Sequence, residues 1–168
     1  MSGASISITL SGSALRGFRQ LERVMDNTTP VMAAIGTGLV GSTHMRFVTQ
    51  TDPDGAAWRA LNTDYAATKR NTRILTESGR LRDSINSRAG ATEVRVGTNV
   101  IYAAIHQFGG TIKPKSASHL RFFIGDTLVT VASVTLPPRP FLGISSDDET
   151  MIAETIFDFL DRYVPSSP

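Results

Sequence analysis

No cysteine occurs anywhere in the 168 residues, which removes disulfide frameworks, thiol nucleophiles and thiolate metal sites together. Stability must therefore come from packing, to which contacts between subunits could add. Long apolar runs are missing too: nothing approaches the roughly 20 consecutive residues that a membrane-spanning helix needs. Residues Met1 to Leu10 carry neither a basic leader nor a sustained apolar stretch, so they lack the form of a secretory signal, and a cytoplasmic site of assembly is expected. Histidine is scarce. His44, His106 and His119 are far apart, with no pair at the spacing that places two ligands on one helix face, so no metal or other cofactor is expected. No Gly-x-Ser-x-Gly turn exposes a nucleophile. The glycines near Gly36 lack a following Gly-Lys-Ser/Thr, and those near Gly109 follow a predicted helix instead of opening one, so neither forms a phosphate cradle. With each catalytic search failing, a non-enzymatic role is expected.

Net charge is small as well, at +2. That is too little to indicate nucleic acid by itself, because a phosphate-tracking surface concentrates its basic residues. The distribution says more than the sum. Lys69, Arg70, Arg73, Arg80, Arg82 and Arg88 fall in the middle, whereas Asp147, Asp148, Glu149, Glu154, Asp158 and Asp161 crowd the end. Two electrostatic poles suit head-to-tail contacts between like subunits or contact with a charged ring; two solvated helix faces would produce the same pattern.

What is present reads as one domain, residues 1–168, of ordinary globular composition. Ile6, Ile8 and Leu10 alternate with Ser and Thr as a short strand does. Leu15, Phe18, Leu21, Val24 and Met25 recur at helical spacing between Ser13 and about Asn27. Pro30 fits the first turn of a second helix running to about Val48. Gly36, Gly38 and Gly41 each lower helix propensity there by about 1 kcal/mol relative to Ala, so they signal either close packing against another backbone or a kink.

Asp52-Pro53-Asp54-Gly55 is a turn. Trp58 behind it either anchors the loop to the core or fills a partner's pocket. A short helix around Leu81 and Ile85 follows, with Thr76 or Ser78 as N-cap. Thr92 to Gly97 alternates as a strand. Val100 to Phe108 reads as a helix burying Ile101, Ala104, Ile105 and Phe108, closed by Gly109-Gly110. His106 beside that face is expected to bond to backbone.

Ile112, Leu120 to Ile124 and Leu128 to Leu136 form a β-rich block, with a tight turn at Gly125-Asp126. Pro137-Pro138-Arg139-Pro140 must be an extended rim, since three of its four positions lack an N–H. Ser146 with Glu149 gives a capping box for a last helix striped by Ile152, Ile156, Leu160 and Tyr163. The fold class is α+β: a small antiparallel β-sheet packed with N-terminal helices and a C-terminal helix.

Four segments occur in order: the Asp-Pro-Asp-Gly turn with Trp58; Ile74 to Ile85 (Ile-Leu-Thr-Glu-Ser-Gly-Arg-Leu-Arg-Asp-Ser-Ile); Val96 to Gly110 (Val-Gly-Thr-Asn-Val-Ile-Tyr-Ala-Ala-Ile-His-Gln-Phe-Gly-Gly); and Pro138 to Gly143. Together they resemble the signature of the phage virion morphogenesis family, the tail completion proteins of Mu-like phages. The resemblance covers about half the chain. It implies a stoichiometric structural protein of the virion, at the neck or upper tail, that completes the tail or joins it to the head. The form expected is a homo-oligomeric ring, a hexamer, around the DNA path. Its partners would be further copies of itself and tail tube, terminator or head–neck connector proteins, without a membrane.

Subunit or partner contacts are expected at Trp58, Arg80, Arg82, Tyr102, His106, Phe108, Lys113, Lys115, Arg139 and Phe141. Arg139, held between prolines, is preorganised to bridge carboxylates or carbonyls within its subunit or across to a neighbour. Lys113, Pro114 and Lys115 form a basic tip that could order on contact. The arginines would meet either the acidic last helix of a neighbour or phosphate in the channel. The rival reading is a module that binds nucleic acid without sequence specificity.

Overall fold

Pro30 stands in the first turn of the longest element, helix α1 (Thr29–Thr49), where its missing N–H costs nothing. The structure is a computed structural model that describes Arg19, Glu22 and residues 25–162. The strand expected at Ile6, Ile8 and Leu10, the positions Leu15, Phe18, Leu21 and Val24 of the first helix, and Tyr163 lie outside those residues. Arg19, Glu22 and Met25 are helical. Helix α1 ends at Gln50, whose left-handed backbone (φ 58°) lets its N–H reach the Arg46 carbonyl.

Two of the three α1 glycines are explained by close approach. A Cβ on Gly36 would lie 2.8 Å from Val94 Cγ2 and 2.9 Å from Ser87 Cβ, and one on Gly38 would lie 2.7 Å from Met151 Sδ. The helix is continuous across them, so packing holds it helical against propensity. Gly41 differs, with nothing within 4 Å of its missing Cβ.

Three short helices follow at intervals: α2 (Thr63–Thr68), α3 (Arg80–Asp83) and α4 (Ala103–Phe108). Asn62 caps α2 by accepting from the N–H groups of Asp64 and Tyr65. At α3 the expected cap moves. Neither Thr76 nor Ser78 is the N-cap; Gly79 is, at φ 79°, a conformation a glycine adopts without Cβ strain. Strand β1 (Asn86–Ala89) pairs antiparallel with β2 (Val94–Gly97) and the pair lies against α1 at Gly36.

The β-rich block resolves into two further ladders. Hairpin β4 (Leu120–Ile124) and β5 (Thr127–Val131) turns at Gly125-Asp126 as its sequence predicts, while β3 (Gly110–Ile112) pairs with β6 (Val134–Leu136) and so brackets the hairpin. The single strand expected from Leu128 to Leu136 is broken at Ala132-Ser133, because its two halves serve different partners. The fold is α+β as read from sequence, but the strands of the described residues form three two-stranded antiparallel ladders instead of one sheet.

The last helix, α5 (Ser146–Asp161), lies along α1. Its capping box sits one residue earlier than expected, on Ser145 and Asp148 instead of Ser146 and Glu149. The core gathers Phe47, Trp58, Leu81, Ile85, Val100, Ala103 and Phe141. Phe47 is its centre, edge-on to Trp58 and tilted against Phe141, each with ring centroids 5.4 Å apart.

Of the apolar face expected on α4, only Ile105 is half-buried; Ile101, Ala104 and Phe108 are exposed. Val100 and Ala103 face the core, whereas Ile101 and Phe108 are 97% and 77% exposed. Gln107 explains the rotation. Its Oε1 accepts from the N–H groups of Phe141 and Leu142, and its Nε2 donates to the Leu142 carbonyl, so a polar side chain takes the inward position.

Candidate functional site

Five stretches of chain wall a concavity among the described residues. Its walls come from residues 59–65 and 75–81, the turn into α4, strand β4 and the run from Val134 to Arg139, and it encloses about 1120 Å³. The floor is apolar, with Leu61, Leu75, Phe122 and Leu136 among its residues, and Tyr102 and Phe123 stand partly in solvent at its edge. Four cations, Arg59, Lys69, Arg80 and Arg139, line it against one carboxylate, Glu77.

That carboxylate is already occupied. Lys69 Nζ donates to Glu77 in an ion pair, and the resulting hydrogen bond holds the Glu77 carboxyl below its ordinary range. Arg139 is 5% exposed, yet it finds no carboxylate among the described residues. Its Nε donates to the Arg59 carbonyl (2.7 Å), its Nη2 to the Ala60 carbonyl (3.0 Å), and its own N–H to the His106 carbonyl (2.7 Å). Burial, then the nearby charge of Arg59, pull its pKa below the usual guanidinium value. Arg139 thus clamps the loop after Trp58 to the end of α4 through neutral acceptors, and the groove stays cationic.

His106 stands in the same wall. Tyr102 meets its ring edge-on at 5.9 Å. The expected backbone bond is absent: Nδ1 is buried without a hydrogen-bond partner among the described residues. Burial, followed by the charge of Arg139, lowers its pKa from the ordinary histidine value and so favours the neutral ring.

Of the ten residues singled out from sequence, the structure brings four to this groove: Arg80, Tyr102, His106 and Arg139. Trp58 and Phe141 lie in the core, where Trp58 Nε1 donates to the Pro140 carbonyl at 2.7 Å and Phe141 is fully covered. Both are intrachain anchors in this structure. Arg82 pairs with its neighbour Asp83, Phe108 projects from the outer side of α4, and Lys113 and Lys115 are exposed beyond β3. Sequence reasoning missed Arg59, Tyr65 and Phe123 on the groove. The adjacent Phe122-Phe123 pair was the available signal, since a strand turns successive side chains to opposite faces.

A second polar centre was missed entirely. Arg46 is the one charged residue in α1, and its burial (5% exposed) makes it the pivot between α1 and α5. Nη1 donates to the carbonyls of Phe141 (3.0 Å) and Gly143 (2.9 Å), and Nη2 donates to Asp148 Oδ2 (2.5 Å). Burial would raise the Asp148 carboxyl, but hydrogen bonds from Ser42 and from the backbone and hydroxyl of Ser145, with the Arg46 charge, hold it below its ordinary range. Asp148 therefore leaves the acidic pole, and Glu149, Glu154, Asp158 and Asp161 remain exposed.

Among the described residues, no group of three or more His, Cys, Asp or Glu side chains converges as a metal site would need. The profile of the phage virion morphogenesis family matches residues 12–161. This chain belongs to that family. A protein of Escherichia phage Mu, provisionally named capsid assembly protein G, is 33% identical over 145 residues, covering 82% of this chain and 78% of its own. The Mu-like prophage FluMu G protein 2 of Haemophilus influenzae is 32% identical over 147 residues, covering 86% of this chain and 88% of its own. No solved structure matches. Family membership assigns the chain a structural part in phage virion morphogenesis.

Proposed function

We propose that this protein completes the phage tail or joins it to the head at the neck, acting stoichiometrically as a homo-oligomeric ring, a hexamer, around the DNA path. The observation that carries the reading is the family match over residues 12–161, with one relative named for capsid assembly. The surface supports it. Ile101, Phe108, Phe123 and Leu128 are more than half exposed, and such apolar side chains are the usual currency of protein–protein contact. Partners would be copies of the chain and the tail tube, terminator or neck connector proteins above and below the ring.

Deleting the coding region from an inducible phage tests the role. Filled heads beside unjoined tails are the expected result by electron microscopy, and normal virions in normal number would refute it. Sedimentation of the purified protein tests the ring: a single closed species several times the subunit mass is expected. The rival, a module that binds DNA without sequence specificity, predicts instead a monomer whose affinity for duplex falls steeply with salt.

A further inference from the structure

We infer that the cationic groove receives the outward face of α5 from a second copy of this chain, so that subunits join head to tail. This rests on the ring reading above and names the contact that closes it. Along α5, Thr150, Glu154, Phe157 and Asp161 recur at helical spacing with Asp158 alongside, and all five are exposed. Phe157, 64% exposed, projects amid three carboxylates, none of which forms an ion pair among the described residues. In the groove, the exposed Arg59 and Arg80 likewise lack a carboxylate among the described residues, and they border an apolar floor with the buried Arg139 behind them. An aromatic knob ringed by negative charge thus has its complement in an aromatic-lined trough rimmed by positive charge.

Scale and placement agree with that occupant. At about 1120 Å³ the groove has room for one face of a helix, and its charge decides the occupant. No α5 residue lines the groove, so the two patches are separate, as a heterologous contact that closes on rotation requires. DNA would satisfy the arginines but leave Tyr102 and Phe123 without an apolar partner; α5 supplies both kinds of contact. The buried, unpartnered Nδ1 of His106 lies in the same wall.

The test uses two full-length variants, Phe157→Ser and Arg80→Glu, both at exposed positions, with Asp158→Lys as a second knob variant if either fails to give the native circular dichroism spectrum. Each alone is expected to weaken association by on the order of tenfold or more and to sediment as a subunit. An equimolar mixture is expected to form a one-to-one pair that grows no further, because the intact knob of Arg80→Glu meets the intact groove of Phe157→Ser. Rings that survive in either variant, or a mixture that stays monomeric, overturn this contact while leaving the ring reading in place. Wild-type protein that stays monomeric in low salt overturns both, and salt-sensitive duplex binding lost in Arg80→Glu would assign the groove to phosphate instead.

Discussion

Replacing Asp148 with Ala removes one half of the buried pair that fastens α5 to α1. Asp148 is 3% exposed and Arg46 5%, so water does not replace the lost carboxylate. The guanidinium would be left with the Phe141 and Gly143 carbonyls and the Ser42 hydroxyl, none of which neutralises it. Removing one partner of a buried ion pair costs about 3–5 kcal/mol. The capping role adds to the loss, since Asp148 also accepts from the Ser145 N–H (2.9 Å) and hydroxyl (2.9 Å).

We expect Asp148→Ala to lose about 3–5 kcal/mol, a third or more of the roughly 5–15 kcal/mol available to a typical domain. Urea titration at a concentration where the protein is monomeric reads this as a lower midpoint with an unchanged slope. Asp158→Ala, exposed and unpaired, is the control and should stay within about 0.5 kcal/mol of wild type. Acid adds a second reading. The folded Asp148 carboxyl lies below the ordinary 3.8, so its contribution is full above that value and declines as pH falls through it toward the folded pKa. Asp148→Asn should lack that part of the acid slope. A loss under about 1 kcal/mol in Asp148→Ala, matching the control, would refute the argument that this pair is the hinge pin of the two helices.

Gly36→Ala and Gly41→Ala should move stability in opposite directions: the first by about 1–3 kcal/mol downward, because its Cβ collides with Val94 and Ser87, and the second upward by as much as about 1 kcal/mol, because its Cβ meets nothing. Equal effects in thermal unfolding would show that packing does not separate the two positions. His106 should titrate below 6.5 by NMR, and as pH falls below that value the unfolded chain binds the proton first, so stability declines into acid. A midpoint at or above 6.5 would contradict burial beside Arg139.

Legibility followed the range of the interaction that decides each element. Helix α1, the turn at Gly125 and the extended Pro137–Pro140 run were readable because proline and glycine act on their own backbone. Strand β1 was not. Asn86-Ser87-Arg88-Ala89 has no β-branched residue, and it is a strand because β2 pairs with it. The α4 face was misread for the same reason: periodicity counts apolar residues, while Gln107 is drawn inward by backbone groups some 35 positions away. Of the candidate site, the individual residues Arg80, Tyr102, His106 and Arg139 were legible. Their convergence with Arg59 and Phe123 was not, since it depends on how β4 and the loop after Trp58 come together. The lone charge in α1 was a signal for Arg46, because a charge on a packed helix needs acidic or hydrogen-bonding partners elsewhere in the chain.

The distribution of polar and apolar groups ties these points to assembly. Arg46, Arg139, Thr43 and Asp148 are buried, while Ile101, Phe108, Phe123 and Phe157 stand largely in water. A monomer selected only for its own stability would tend toward the reverse, with aromatics inside and charges outside. Here the buried polar groups hold fixed the segments that display the exposed apolar ones: Arg46 with Asp148 sets the start of α5, and Arg139 with Gln107 sets α4 and the groove wall. Charged and amide anchors are directional, so they determine where each displayed side chain points, which nonpolar packing alone does loosely. On the proposed ring reading, a subunit that fits its neighbours in one register needs that rigidity more than it needs a larger core.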